Sequence, residues 1–439
     1  MSRRSKAYAA QQEKSRRRRR PDRMLVSAMM LFYFSAFLLI ALQDEWQWQG
    51  FALAVAVPVL IHIATMWLPR FFPADKLLLA IANFLCALGV LVLYSTDRGA
   101  GTSRGIQQAM YYGVGIVAML ACILVVRYIR NWHFLIKVVM LAAGLLIALP
   151  LAIGTEQNGA TNWIRIGGTS LQPSEVVKIA FLLVLSWFMS RRRFWPWLLF
   201  ALFCLLVLML QKDLGTALIY YMTGLCLFYA STGNLPLTGL GLLGGCGAAV
   251  AGYQMFAHVK KRVAIWRNPW MYSDTSGYQI VQALMAIASG GLFGLGLGLG
   301  SPRVIPVYFT DCIFAVICEQ FGVLFGALVL MMYVILILRG AFIALSARHG
   351  FHALLAMGAT VMLGIQTFVI IGGVLKLIPL TGVTMPFVSY GGTSLVSCMG
   401  LIGLIQGVSS VTQDDLSYDY DISRTLQQES LLKRADEEE

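Results

Sequence analysis

The sequence predicts an all-α protein that crosses a membrane about twelve times. The chain of 439 residues is 58% hydrophobic and 13% charged, whereas a soluble domain carries about a quarter charged residues. Its mean hydropathy is +0.72. The apolar residues fall into runs of about 17 to 25, the length that spans hydrocarbon as helix. Backbone groups in lipid must be paired within the chain, which makes helix the default.

The expected spans are 24–43, 50–69, 76–94, 109–127, 134–153, 174–190, 195–210, 215–231, 236–257, 311–338, 352–374 and 384–411. Cations alternate with them. Arg16 to Arg20 precede the first span, and Arg70, Lys76, Arg127, Arg130, Arg191 to Arg193, Arg339 and Arg348 fall in every second connection. This is the positive-inside pattern, and it places the N-terminus in the cytoplasm. An even count returns the C-terminus there. The first outer connection holds Asp44 and Glu45, and segments 95–108, 154–173, 258–310 and 375–383 also fall outside. The run from Met24 to Leu42 is followed by no small-residue cleavage site, so no cleavable signal is expected.

The arm 1–23 is basic and solvated. The net charge of +13 concentrates there, beside a first span, where it favours anionic lipid rather than nucleic acid. The tail 412–439 is acidic, with no apolar period, and is expected to be disordered or weakly helical. Cys86, Cys122, Cys204, Cys226, Cys246, Cys312, Cys318 and Cys398 all lie in apolar runs without metal spacing and read as small core residues. The five histidines form no metal constellation, and no Walker motif is present, which argues against ATP-driven transport.

Asp311 is the most informative residue. It opens a long apolar run, Asp311-Cys-Ile-Phe-Ala-Val-Ile-Cys, after a long basic, glycine-rich segment. An ionisable group at a membrane edge is costly and usually functional. Segment 258–310 breaks the positive-inside rule with Lys260, Lys261, Arg262, Arg267 and Arg303 against Asp274. Such cations suit either an anionic ligand bearing phosphate or bulk anionic lipid.

Four further stretches each carry two readings. In 158–178, Trp163 and Arg165 suit an interface, Pro173 suits a helix start, and Glu175 with Lys178 share one helix face. That pair fixes helix packing, or Lys178 binds phosphate while Glu175 orients it. Lys212 and Asp213, in Gln211-Lys-Asp-Leu-Gly-Thr216, form a site or a simple interfacial turn. The glycines of 290–300 offer backbone N–H groups to a diphosphate or form a re-entrant loop; they do not fit GxGxxG. Pro386-Phe-Val-Ser-Tyr-Gly-Gly-Thr-Ser394 permits close helix approach or contributes hydroxyls to a site.

As a set, these stretches resemble the SEDS family (shape, elongation, division and sporulation) of bacterial cell-wall glycosyltransferases. The resemblance runs from about 158 to 408. It rests on Gly159-Ala160 with Trp163, Gln172-Pro-Ser-Glu175 with Lys178, Asp213-Leu-Gly-Thr-Ala, Gly277-Tyr-Gln279 with Gln282, Ser289-Gly-Gly, Thr310-Asp311 with Ile313-Phe-Ala-Val-Ile and Glu319, and Pro386-Phe-Val-Ser389-Tyr-Gly-Gly.

The resemblance implies polymerisation of lipid II, an undecaprenyl-diphosphate-linked disaccharide pentapeptide, at the outer face of the bacterial cytoplasmic membrane. Asp311 would be the catalytic base. Glu175, Lys178, Trp163, Arg165, Asp213, Arg262, Gln279, Gln282, Ser289, Thr310, Glu319 and Ser389 would line the substrate site. A divalent cation (Mg or Mn) would assist, and a class B penicillin-binding protein would supply crosslinking. The family implies ten core helices, here within 70–411, with 24–69 as two additional helices.

The sequence departs from the pattern in places. Val307, Phe309 and Cys312 replace polar or aromatic residues around the aspartate, Gln320 replaces the second acid of a pair, and Asn162 an arginine. A less polar setting raises a carboxyl pKa. The competing expectations are a lipid II flippase, which would need inverted repeats and broken helices at mid-membrane, and a non-catalytic scaffold of a synthase complex.

Overall fold

The computed structural model describes residues 23–42, 48–97, 102–129, 131–157, 160–166 and 169–437. The Arg16–Arg20 run, Asp44, Glu45, Arg130 and Gly159 lie outside these. Among the described residues, eleven helices are long and apolar enough to cross a membrane, and Phe194–Leu210 is a shorter twelfth. The twelve-span expectation therefore holds.

In chain order the long helices are α1 (Arg23–Leu42), α2 (Trp48–His62), α3 (Lys76–Asp97), α4 (Arg104–Tyr128), α5 (Trp132–Ile153), α6 (Pro173–Ser190), α7 (Phe194–Leu210), α8 (Leu214–Thr232) and α9 (Leu235–Met255). The order continues with α10 (Ala257–Arg267), α11 (Tyr278–Gly290), α12 (Ile313–Phe321), α13 (Val323–Ser346), α14 (Gly350–Val374) and α15 (Gly392–Glu437). A π turn, Ile63–Trp67, and a 3-10 turn extend α2 to Arg70.

Helix α3 is the axis of the bundle, with 94% of its apolar window buried, whereas α9 has 0%. Small residues permit this depth. A Cβ at Gly89 would lie 2.6 Å from the Val388 carbonyl oxygen, so α3 touches the 386–390 backbone directly. Helix α15 packs most extensively on α4, and α14 bridges α6, α8, α13 and α15. The N-terminal pair docks through polar contacts as well as apolar ones. Tyr33 donates to the Phe84 carbonyl at 2.7 Å, and the π turn sets Thr65 3.1 Å from Asn83 Nδ2.

Three expectations need correction. The run 311–338 is not one helix: it breaks at Gly322, and the spanning helix is α13. The span expected at 384–411 begins at Gly392, with 384–391 irregular or in turns. Segment 154–173 forms a three-stranded antiparallel sheet, β1 (Thr155–Gln157), β2 (Ala160–Ile166) and β3 (Thr169–Leu171). The acidic tail, expected to be disordered or weakly helical, continues α15 as helix to Glu437; Asp414, at its root, pairs with Arg127 at 2.9 Å.

The segments expected outside meet. Arg303 donates to the Thr96 carbonyl, Arg104 to the Tyr308 hydroxyl, and Arg262 to the Thr381 carbonyl. The sheet joins them through the Thr161 N–H bond to the Gln211 carbonyl. Helix α3 spans about 33 Å at 1.5 Å per residue. It carries Asp97 at this end and Lys76 at the other, so the two membrane faces are distinct.

Candidate active site

Asp311 stands on a turn rather than in a helix. Val307, with φ +53°, reverses the chain, and its carbonyl accepts from the Thr310 and Asp311 N–H groups. Ser389 then pins the turn. Its hydroxyl donates to the Thr310 carbonyl at 2.6 Å and accepts from the Met385 N–H at 2.8 Å. The Tyr390 N–H donates to the Phe309 carbonyl at 2.8 Å. Gly382, at φ +75°, brings its backbone so near that an added Cβ would sit 3.5 Å from Asp311 Oδ2.

The carboxyl is half-buried. Burial pushes its pKa up, against hydrogen bonds from Thr310 and Gln279 and the charge of Arg262. The direction is the one expected from sequence; the cause is desolvation, and two polar neighbours remain. Beside it, burial raises the Cys312 thiol to about 12, so this cysteine is neutral. Gln279 lies 3.5 Å from its sulfur.

Arg262 is the facing cation. Of the four cations of α10, Lys260, Lys261 and Arg267 are exposed and Arg262 is half-buried. The Trp266 indole donates to the Lys376 carbonyl at 3.1 Å and Arg262 to Thr381 at 3.0 Å, so α10 is clasped onto segment 375–383. Asp311 and Asp213 both favour the charge of Arg262. One helical turn earlier stands His258, whose pKa is lowered by burial and by Arg262 and Lys212. His258 Nε2 and Thr381 Oγ1 are buried atoms without a hydrogen-bond partner among the described residues. His258 and Thr381 were missed in sequence; the four-residue spacing of His258 from Arg262 was the available signal.

The other expected residues divide. Glu175 and Lys178 are almost fully buried. Lys178 Nζ donates to both Glu175 oxygens, at 2.8 and 2.9 Å, and to Gln366 Oε1 at 2.9 Å, which uses all three of its protons. Ser397 donates to Glu175 Oε2 at 3.0 Å, and Gln366 reaches the Thr384 carbonyl at 2.9 Å. The pair thus fixes the segment that Ser389 belongs to. Asp213 caps α8, accepting from the Thr216 N–H, and its other oxygen takes Asn162 at 2.7 Å and Gln172 at 3.1 Å. It ties the sheet to α8.

Trp163 is half-buried and Arg165 exposed on β2. Gln279 and Gln282 are half-buried on α11, while Ser289 is exposed and bonds within its own helix. Glu319 accepts from the Ser301 N–H at 2.9 Å, and burial raises its pKa. The glycine loop closes on the helix break. The N–H groups of Leu295 and Gly296 bond the Glu319 and Gln320 carbonyls, at 2.9 and 3.0 Å. Those N–H groups satisfy the broken helix.

The departures from the family pattern have local partners. Arg104 lies over the Phe309 ring at 4.1 Å, and Gln320 accepts from Ser95 at 3.0 Å. Asp97 accepts from the Gly105 N–H at 2.8 Å and lies 3.9 Å from Arg104. Among the described residues, no group of three His, Cys, Asp or Glu side chains converges as metal ligands. Asp311 faces a guanidinium instead, so the residues present do not form a metal cage.

A family model described as cell cycle protein, the FtsW, RodA and SpoVE family, matches residues 75–414. The chain belongs to that family. It is 34% identical over 411 residues to the peptidoglycan glycosyltransferase RodA of Mycobacterium tuberculosis (strain ATCC 25618 / H37Rv), covering 86% of this chain and 87% of that one. It is 34% identical over 358 residues to stage V sporulation protein E of Bacillus subtilis (strain 168), covering 76% and 96%. Among solved structures it resembles a chain of a peptidoglycan synthase complex that coordinates polymerization and crosslinking, with TM-score 0.65, 26% identity and 78% and 98% coverage. It also resembles the rod shape determining protein RodA of Thermus thermophilus, with TM-score 0.55, 27% identity and the same coverage. Helices α1 and α2 precede the residues matched by the FtsW, RodA and SpoVE model.

Proposed function

We propose that this polytopic membrane protein is a peptidoglycan glycosyltransferase that polymerises lipid II at the outer face of the bacterial cytoplasmic membrane, in cell elongation, division or sporulation. The observation that carries the reading is Asp311: a half-buried carboxyl of raised pKa, held on a pinned turn, facing Arg262 where the outer segments converge.

In the reaction the acceptor sugar's 4-hydroxyl oxygen bonds to the donor's anomeric carbon. Asp311 takes the hydroxyl proton, and its raised pKa suits a general base. The bond from the anomeric carbon to the diphosphate oxygen breaks, and its electron pair leaves with undecaprenyl diphosphate. Arg262 is placed to stabilise that charge. The Glu175–Lys178 pair positions the 384–389 segment and so the Asp311 turn. Both termini face the cytoplasm, α1 and α2 are an added module, and a class B penicillin-binding protein is the crosslinking partner.

Labelled lipid II incubated with the purified protein, and with its Asp311→Asn variant, is read as glycan ladders on a gel. Each runs with and without the class B partner, and with Mg2+, Mn2+ or chelator, since a cation carried by the diphosphate needs no protein cage. Wild-type ladders that vanish in Asp311→Asn are the expected result. Ladders retained by that variant would remove Asp311 as the base. Folded wild type silent in every arm would favour the flippase or scaffold readings.

A further inference from the structure

His258 Nε2 and Thr381 Oγ1 are shielded from solvent and have no hydrogen-bond partner among the described residues. Buried polar atoms are nearly always paired, so two orphans in one place call for a partner from outside the fold. They do belong to one place. His258 and Arg262 are four residues apart on α10 and share a helix face. Arg262 donates to the Thr381 carbonyl at 3.0 Å. Thr381 in turn packs on the start of α8, its Cβ 3.2 Å from where a Cβ on Gly215 would stand. The next residue, Gly382, is the one whose backbone lies against Asp311 Oδ2.

The surrounding charges select the partner. Burial lowers the His258 pKa, and the charges of Arg262 and Lys212 lower it further, so the imidazole is neutral at neutral pH. In the field of two cations a neutral imidazole serves an anion by donating from Nε2, and the anion selects the tautomer with its proton there. The nearby carboxylates are engaged elsewhere. One Asp213 oxygen takes the Thr216 N–H and the other takes Asn162 and Gln172. Asp311 receives Thr310 and Gln279.

The reaction brings an anion to this spot. The donor's diphosphate is bonded to the anomeric carbon that the acceptor oxygen attacks, so it lies within a few bonds of the proton that Asp311 takes. The peptide carboxylates of the same substrate are many bonds further away. We propose that His258 and Thr381 are substrate-binding residues, which donate hydrogen bonds from Nε2 and Oγ1 to the diphosphate of the lipid-linked sugar donor, alongside Arg262. The inference rests on the lipid II polymerase reading.

The test measures binding of undecaprenyl diphosphate to the full chain in detergent, which needs no turnover, while wild-type glycan ladders report separately on the polymerase reading. His258→Phe and Thr381→Val should each weaken binding about tenfold, as expected for one lost hydrogen bond to a charged acceptor. His258→Gln and Thr381→Ser keep a donor near each atom and should recover most of the loss. Lys260→Gln, which removes an exposed cation from α10, should change little. Undecaprenol, with the same tail and no diphosphate, should bind every variant as it binds wild type. Melting temperatures check that each variant is folded, and Thr381→Val, which keeps the shape of threonine, carries the test if His258→Phe does not fold. Unchanged affinity in the donor-free variants would overturn the proposal. Equal losses for undecaprenol would make these packing residues, and equal losses for phosphatidylglycerol an unselective anion site; either overturns it too. Wild-type ladders with unchanged diphosphate binding would sink this inference alone, whereas binding losses without wild-type ladders would sink the polymerase reading and keep the diphosphate site.

Discussion

Two ionic centres of this bundle, Glu175–Lys178 and Asp311, are built in opposite ways. At Glu175–Lys178, every Lys178 proton has an acceptor, and Ser397 takes up a Glu175 oxygen as well. At Asp311, the carboxyl is half-buried and its pKa is raised, while the nearby His258 and Thr381 each keep a buried polar atom without a hydrogen-bond partner among the described residues. Burying a charge is tolerated when it is paired and hydrogen-bonded. A saturated centre therefore fixes structure, and an unsaturated one is left for a ligand. The comparison teaches that an ionisable residue in a membrane protein must be read with its partners, because composition alone makes these two centres look alike.

The sharpest break of the comparison is at Asp311. Asp311→Asn should lower lipid II polymerisation at least about a thousandfold, at the upper end for loss of a general base and its field. The fold should gain stability. A carboxyl whose folded pKa is raised binds its proton more tightly in the native state, so its contribution is present at low pH and lost as pH rises through that folded value. The neutral amide avoids that loss at neutral pH. A lower melting temperature for Asp311→Asn would contradict the desolvation argument.

The saturated centre should respond the other way. Lys178→Met leaves Glu175 buried without its cation, and breaking a buried pair costs about 3–5 kcal/mol. Adding Glu175→Gln should recover much of that, and activity with it, if the pair acts only by positioning. A stable but inactive double variant would instead assign Lys178 to the substrate.

A smaller effect is expected at the helix break that orients α12. Gly322 has φ +88°, and a Cβ there would lie 2.2 Å from the Leu292 carbonyl oxygen. Gly322→Ala should cost about 1–3 kcal/mol through backbone strain and loosen the glycine loop. Denaturation and amide exchange at residues 290–300 would detect this. An unchanged variant would mean the loop does not depend on the break.

Much of the fold was legible because apolar length and cation alternation are local signals. The twelve apolar helices and the Pro173 helix start could both be read that way. Gly322 was not: one glycine between Ile313-Phe-Ala-Val-Ile and Val323-Leu-Phe barely changes hydropathy, although it permits a φ that ends one helix and starts another. The sheet at 155–171 was obscured by short strands and glycines that read as loop. At the site, Asp311 announced itself by charge in an apolar run. The saturation of the Glu175–Lys178 pair depends on Gln366, 188 residues from Lys178, and on Ser397, 222 residues from Glu175, and no local pattern carries such contacts. The tail beyond Gln413 has polar composition and no apolar period, so the sequence left it between disorder and weak helix.

The finest test concerns Gln279, which touches the unsaturated centre from α11. Its hydrogen bond lowers the Asp311 pKa, opposing burial. Because the base works as a carboxylate, the polymerisation rate should fall as pH drops through that pKa, giving an acidic limb in kcat/KM. Gln279→Leu removes a stabiliser of the charged form, so the limb should move to higher pH. The rate above the limb should change little, since Gln279 contributes to the charge balance and not to the bond being made. Asp311→Asn has no such base and should lose the limb in whatever activity remains. A limb that moved to lower pH in Gln279→Leu, or stayed in place, would mean that the acidic limb belongs to another group, and Glu319, also raised by burial, would be the next to substitute.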